Sequence, residues 1–227
     1  MDYQAVKEDR QGKVPYEFIR DIFKDKDPFM MSELASAPYD PERQRFTVHM
    51  MGSLYYVQYP AGEVYTEEGE PIEVYAVMTL FLRYLANARG IPPTGKDITY
   101  KEIPGGHVYY SNFNSRTIMR LARAFGNRLE EVKEAFEAIG GQLVKTGDIG
   151  CRFQFMNNVY LTFILWKGDE ELAPAANILF DMNTPYYFDA EDLAVVGDVA
   201  VGVLRNHGKI PNWKGLYENK HKKEELI

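Results

Sequence analysis

The sequence predicts an α+β fold, a mainly antiparallel sheet built from two or three hairpins and packed by four to six helices. Strand-like runs joined by short turns occur in two blocks, residues 45–59 and 142–166. Apolar residues at helical spacing fill the stretches before, between and after those blocks. The resulting order of hairpins, helices, hairpins and a last helix lacks the regular βαβα alternation that builds a doubly wound parallel sheet.

Residues 1–14 are polar and read as a loose segment, and a helix is expected after Pro15 with Phe18, Ile19, Ile22 and Phe23 on one stripe. Asp27-Pro28 has the form of an N-cap followed by proline at the first helical position, so a short helix should run to about Ser36. Pro38 and Pro41 break it. Residues 45–51 and 54–59 then form a hairpin about Gly52-Ser53, and Pro60-Ala61-Gly62 turns the chain toward a third strand at 63–66. Val74, Val77, Met78, Phe81, Leu82 and Leu85 share one helical face, stopped by Gly90 and Pro92-Pro93.

A short strand fits 98–103, and Pro104-Gly105-Gly106 reads as a turn. Helices fit 115–125 and 128–139, with Gly126-Asn127 between them and Gly140-Gly141 ending the second. Three strands follow at 142–146, 151–156 and 159–166, the last two joined by Asn157-Asn158, residues that accept the positive φ of a tight hairpin. Both faces of 159–166 are mostly apolar, as expected of a central strand covered on both sides. A final helix opens at Asp189 with Leu193, Val196, Val199, Ala200 and Val203 as its stripe. No long linker or repeat appears, which predicts one domain over 15–206 and a tail over 207–227 anchored by Trp213 and Tyr217.

The composition of the 227 residues, 45% hydrophobic, 14% aromatic and 26% charged, is that of a globular protein able to bury a substantial core. No apolar run approaches the roughly 20 residues of a membrane-spanning helix, and the mixed-charge N-terminus has no apolar signal region. The expected location is cytoplasmic, with no membrane partner. A net charge of −7 argues against nucleic-acid binding, which needs clustered cations, and the basic run 220–223 is followed at once by Glu224 and Glu225. One cysteine, Cys151, excludes an internal disulfide and an all-cysteine metal or iron–sulfur site within this chain.

Three stretches resemble one family: Leu80 to Leu85 with Ala88-Arg89-Gly90 and Thr94-Gly95; Lys101 to Gly106 with Tyr109; and Leu165 to Glu171 with Ile178 to Asp181 and Glu191-Asp192-Leu193. Together they are similar to the domain of unknown function 3786, over roughly residues 16–206. The resemblance implies a source among anaerobic bacteria and archaea. It also implies a neighbourhood of corrinoid and one-carbon genes, in which some relatives add a cysteine-rich iron–sulfur domain. It brings no catalytic residues, and this chain lacks the cysteines of those longer relatives.

The segment 161–192 is the first candidate for a site. Asp169, Glu170 and Asp181 could supply hard oxygen ligands to a divalent metal or a carboxylate pair for acid–base work. The alternative is that Asp169 caps a turn while Asp189 and Asp192 open the last helix. Trp166, Tyr186 and Tyr187 could line a pocket for a planar or anionic ligand, or serve as packing. Asp181, at the edge of the apolar Ile178-Leu179-Phe180, needs a partner. Arg83, in an apolar helix, seeks a carboxylate, with Asp169 and Asp181 as candidates, or an anionic ligand. His107, after two glycines, could do acid–base chemistry or be a solvated turn residue. Cys151 reads as a small core hydrophobe and His49 as a satisfied sheet histidine.

Phosphate-loop, dinucleotide, HExxH and GxSxG signatures are absent from the sequence. The cofactor is left open. The preferred reading is a small-ligand or cofactor binding accessory protein of anaerobic metabolism, linked to corrinoid or one-carbon chemistry through a redox or corrinoid partner protein. The alternatives are a metal- or carboxylate-dependent enzyme and a protein-interaction domain that acts as a homodimer.

Overall fold

The fold is that of a computed structural model, which describes residues 12–211. Of the segment 1–14 expected to be loose, residues 1–11 lie outside the described residues, as do the expected anchors Trp213 and Tyr217, while Lys13 and Val14 already belong to the first helix. Two antiparallel sheets are present. The first contains β1 (Tyr39–Asp40), β2 (Arg45–Met50), β3 (Ser53–Gln58) and β4 (Val64–Thr66) in that order. The second contains β5 (Asp97–Thr99), β6 (Gln142–Val144), β7 (Ile149–Met156), β8 (Val159–Trp166) and β9 (Ala175–Asp181), in the order β5-β9-β8-β7-β6.

The helices are α1 (Lys13–Lys24), α2 (Pro28–Ala35), α3 (Tyr75–Asn87), α4 (Gly106–Phe113), α5 (Met119–Phe125), α6 (Leu129–Ala138) and α7 (Ala190–Arg205). A π turn, Asn114–Ile118, joins α4 to α5. Taking those two as one rod, the α+β architecture with an antiparallel sheet packed by helices is the one expected.

The first sheet is two-sided. Phe46, Val48, Met50, Tyr55, Val57 and Val64 alternate inward and are buried, while Arg45, Tyr56, Gln58 and Tyr65 alternate outward. The β2–β3 turn has positive φ at Met51 (48°) and Gly52 (84°), the geometry that matches the twist of a hairpin, one residue earlier than the sequence suggested. Gly52 also sits where an added Cβ would lie 2.9 Å from the Ile139 carbonyl carbon.

Helices α1 and α3 cover the inner face, with Phe81 against Tyr55 at a ring separation of 5.2 Å. On α1 the buried arc is Tyr16, Ile19 and Phe23, and Phe18 and Ile22 are exposed. The expected stripe is therefore rotated, because the sheet covers only one narrow arc of this helix. Asp27 caps α2 as expected, accepting from the N–H groups of Phe29 and Met30.

In the second sheet Cys151, Phe153, Phe155, Leu161, Phe163, Leu165, Ile178 and Phe180 share one buried face, covered by the α4–α5 rod and α6, with α7 packed against those helices. The expectation of a central strand covered on both sides holds along most of β8: Thr162 and Ile164 on its second face are buried, and only Trp166 at its end is exposed. Its other face, Tyr160, Thr162, Ile164 and Trp166, lies outside the main apolar cluster. Ile164 is instead shielded by the turn at Gly147, where an added Cβ would lie 2.6 Å from Ile164 Cγ2.

Strand β9 was not expected, since Asn177 interrupts the alternation of a short run placed just after Pro174. The helix expected at 115–125 begins nine residues earlier, at Gly106. Gly106 is pressed onto the Tyr100 carbonyl, with 1.9 Å left for a Cβ, so the Gly-Gly pair is a helix start seated on backbone. The π turn coincides with Thr117, whose hydroxyl donates to the Phe113 carbonyl at 2.5 Å inside the rod.

Candidate functional site

Asp181 ends β9 and is fully buried. Its Oδ1 accepts from Thr94 N (2.9 Å), Thr94 Oγ1 (2.7 Å) and Asn183 N (3.1 Å), and its Oδ2 accepts from Gly95 N (2.8 Å) and Arg152 Nη2 (2.5 Å). Burial pushes its pKa up, but the hydrogen bonds from Thr94, Asn183 and Arg152 outweigh that and hold the carboxyl below its ordinary range. The same Arg152 donates from Nη1 to Asp97 at 2.7 Å and lies over the Tyr160 ring at 5.1 Å. The carboxylate thus ties the 94–95 loop, β7 and the end of β9 together, and five donors leave it no vacant lone pair for a metal or a proton in transit.

The expected aromatic pocket is not assembled. Tyr187 is 1% exposed, stacks on Tyr84 at 5.4 Å, donates to the Ile91 carbonyl and accepts from Asn158 Nδ2. It is therefore a core residue at the start of β8. Trp166, 39% exposed, ends β8 and is paired with Ala175. At about 3.3 Å per residue the two are roughly 20–25 Å apart along the strand. Tyr186 is 45% exposed beside its buried neighbour Tyr187.

Arg83 pairs with Asp192 on α7, not with Asp169 or Asp181. Burial lowers its pKa, and the guanidinium is spent on linking α3 to α7. His107 lies exposed in the first turn of α4 and is not in a turn between elements. His49 is exposed on β2, and its backbone N–H donates to Asn157 Oδ1. Cys151 is a core residue whose thiol burial pushes up to about 12, far from a nucleophilic thiolate.

Asp169, Glu170 and Asp181 are not brought together. Among the described residues no three His, Cys, Asp or Glu side chains converge on a metal position. Asp169 Oδ1 accepts from the Glu171 and Leu172 N–H groups (2.8 and 2.7 Å), bonds that lower its pKa, so it ties its own loop as the turn-cap alternative has it. That loop folds into an open hollow of about 440 Å³ between Asn127 and Pro174, with no cation or aromatic ring on its wall. Asp189 caps α7 by accepting from Asp192 N.

A different surface holds side chains left uncommitted. The outward face of the first sheet and the turn after β4 enclose a cleft of about 260 Å³ lined by Arg45, Tyr56, Gln58, Tyr65, Glu67, Glu68 and Gly69. Arg45 and Tyr56 are diagonal neighbours across the β2–β3 ladder, and the guanidinium stacks on the ring at 3.7 Å. Among the described residues no carboxylate comes within ion-pairing distance of Arg45 and no hydrogen-bond acceptor meets its N–H groups. Tyr65 donates to Glu63 at 2.8 Å. The turn is closed by Gly69 N to Thr66 O (3.0 Å) and Thr66 N to Glu70 O (2.9 Å), which hold Glu67 and Glu68 at the rim. Glu68 bonds to its own backbone N–H and to Thr66 and lies near the Lys209 cation, and all three lower its pKa.

Sequence reasoning passed over these residues. The signal available was the polar alternation of the 45–58 hairpin, which marks Arg45, Tyr56 and Gln58 as one face; the folding of the 66–70 turn onto that face has no counterpart in it.

No helix among the described residues is long and apolar enough to cross a membrane. No curated protein and no solved structure matches this chain. A family model does match, over residues 27–203, a span that holds the cleft, the Asp181 node and both sheets. The chain belongs to the family described as a domain of unknown function, DUF3786.

Proposed function

We propose that this protein is a small-ligand binding protein whose ligand sits in the cleft on the outward face of the four-stranded sheet. The observation behind this reading is the set of unspent polar groups on one cleft wall, the Arg45 N–H edges, the Gln58 amide and the Tyr56 hydroxyl, beside the Glu67 and Glu68 carboxylates. Binding sites combine apolar ring surface with a few convergent polar groups, and this cleft has both. Catalysis is the weaker reading, because the candidate acids Asp169 and Asp181 are engaged by backbone and guanidinium donors and the Cys151 thiol is held neutral. The anaerobic, corrinoid or one-carbon setting enters only as the context that the family resemblance suggests for the ligand.

Ligand-observed NMR with a library of small charged metabolites tests the proposal. Hits should disappear when Tyr56→Ala removes the floor of the cleft. A library without hits, or hits indifferent to Tyr56→Ala, would remove it.

Self-association is a second reading, favoured by the exposed Phe18 and Ile22 on α1 and Phe29 and Met30 on α2. Sedimentation across a concentration series, with Phe29→Ser as control, decides it.

A further inference from the structure

Resting on that binding reading, the chemistry of the cleft walls specifies the ligand class. Strand β3 forms the floor, with Tyr56 and Gln58, and its neighbours β2 and β4 bring opposite charges to its two sides. Arg45 comes from β2. Glu67 and Glu68 come from the turn that follows β4.

A guanidinium whose face is taken by a tyrosine ring keeps its N–H edge for a planar acceptor, and a carboxylate is the acceptor that fits the fork bidentately. The same cleft has carboxylates that do not reach Arg45, so they repel an anion unless it also bears a positive charge. A simple anion meets the acids, and a simple cation meets Arg45. Only a ligand with both charges is complementary to both walls.

Glu67 lies two strand spacings across from Arg45 and about four residues further along β3, since Arg45 pairs with Gln58 and Thr66 with Tyr55; the Arg45 stem, running diagonally over Tyr56, shortens that gap. What remains suits a molecule of amino-acid size within about 260 Å³. We propose that the cleft binds a small zwitterion, an amino acid, with its carboxylate on Arg45, its ammonium at Glu67, and its carbon chain over Tyr56.

The test uses the full chain with tyrosine rings isotopically labelled, and follows the Tyr56 and Tyr65 signals by NMR. Glycine, β-alanine, γ-aminobutyrate and the common L-amino acids are titrated beside two single-charge controls, acetate and methylammonium. At least one zwitterion should shift the Tyr56 signal at least about tenfold more tightly than either control. Arg45→Gln, and separately Glu67→Gln, should each weaken it by about tenfold or more while the thermal midpoint stays near wild type.

If acetate or methylammonium binds as tightly as the best zwitterion, the assignment of ligand class fails while the binding reading stands. If no probe moves Tyr56, the zwitterion assignment is overturned. The binding reading is then judged separately by the broader metabolite library and Tyr56→Ala.

Discussion

The two sheets use the same residue types to opposite ends. On the five-stranded sheet an arginine, two aspartates and a tyrosine form a closed set: Arg152 bridges Asp97 and Asp181, lies over Tyr160, and Asp181 accepts from five donors. On the four-stranded sheet Arg45 also stacks on a tyrosine, but the nearby acids stay out of reach and its N–H edge is unspent. Burial accounts for the difference. A fully buried carboxylate must satisfy its lone pairs within the fold, whereas a half-exposed cleft can leave charges to water and so to a ligand. Charge in the interior here joins segments, and charge on the outward hairpin face is free to recognise.

The sharpest way to break that contrast is to delete the closed set. Asp181→Ala leaves the Arg152 cation half-paired and strips the Thr94, Gly95 and Asn183 N–H groups of their acceptor. The expected cost is about 3–5 kcal/mol, the penalty for orphaning one side of a buried pair. Urea unfolding measures it, with the midpoint falling and the slope unchanged. A loss below about 1 kcal/mol would mean that the node is not the clamp its hydrogen bonds describe.

The same node sets the acid limb. The Asp181 pKa is depressed in the folded state below its ordinary 3.8, so the unfolded chain binds the proton first on acidification. Its stabilisation is complete well above pH 3.8 and is lost as pH falls through the lower folded value. Asp181→Asn should therefore be less stable at neutral pH yet show a flatter loss below about pH 4. Thermal midpoints taken every half unit from pH 2 to 7 give the comparison, and parallel acid limbs would sink the assignment.

The alkaline limb has a different source and a smaller expected effect. Burial pushes Tyr55 and Cys151 up to about 12, so each stays neutral in the fold after its unfolded counterpart has ionised. Their contribution is complete below the ordinary values, 10.0 for Tyr55 and 9.0 for Cys151, and falls as pH rises past them. Cys151 should accordingly resist a thiol reagent at pH 8 in the native protein and react at once in urea. Equal rates in the two states would place the thiol outside the core.

Most of the fold was legible because it rests on local patterns. Asp27-Pro28, the 45–58 alternation, the α3 stripe and Asp189 each state an element within a few residues. Strand β9 was not legible, since Asn177 spoils its pattern and only the pairing with β8 makes it a strand. The functional residues were the least legible part. A sequence shows that acids cluster in 161–192, but whether an acid is free depends on distant donors. Asp181 was silenced by Thr94 and Arg152, Arg83 was claimed by Asp192, and Trp166 was separated from Tyr187 by the length of β8. The cleft depends on a diagonal contact and a folded turn, and neither leaves a periodic trace.

The smallest expected effect is the one that completes the contrast. If Arg45 is uncommitted, Arg45→Gln should cost little stability, about 0.5–1 kcal/mol for a lost cation–π contact at a partly exposed site. Glutamine keeps much of the stem that lies along Tyr56, so packing loss stays small. Arg152→Gln, the matching change on the other sheet, removes the cation from both Asp97 and the buried Asp181, leaving Asp181 charged on its four neutral donors, and should cost several times more. The pair of urea midpoints is therefore a direct measure of how far each sheet has spent its arginine. Similar losses at both positions would show that Arg45 is structural and that the cleft is only a fold in the surface. A small loss at Arg45 beside a large one at Arg152 leaves recognition as the role of a stacked, partly exposed guanidinium that shares its cleft with Glu67.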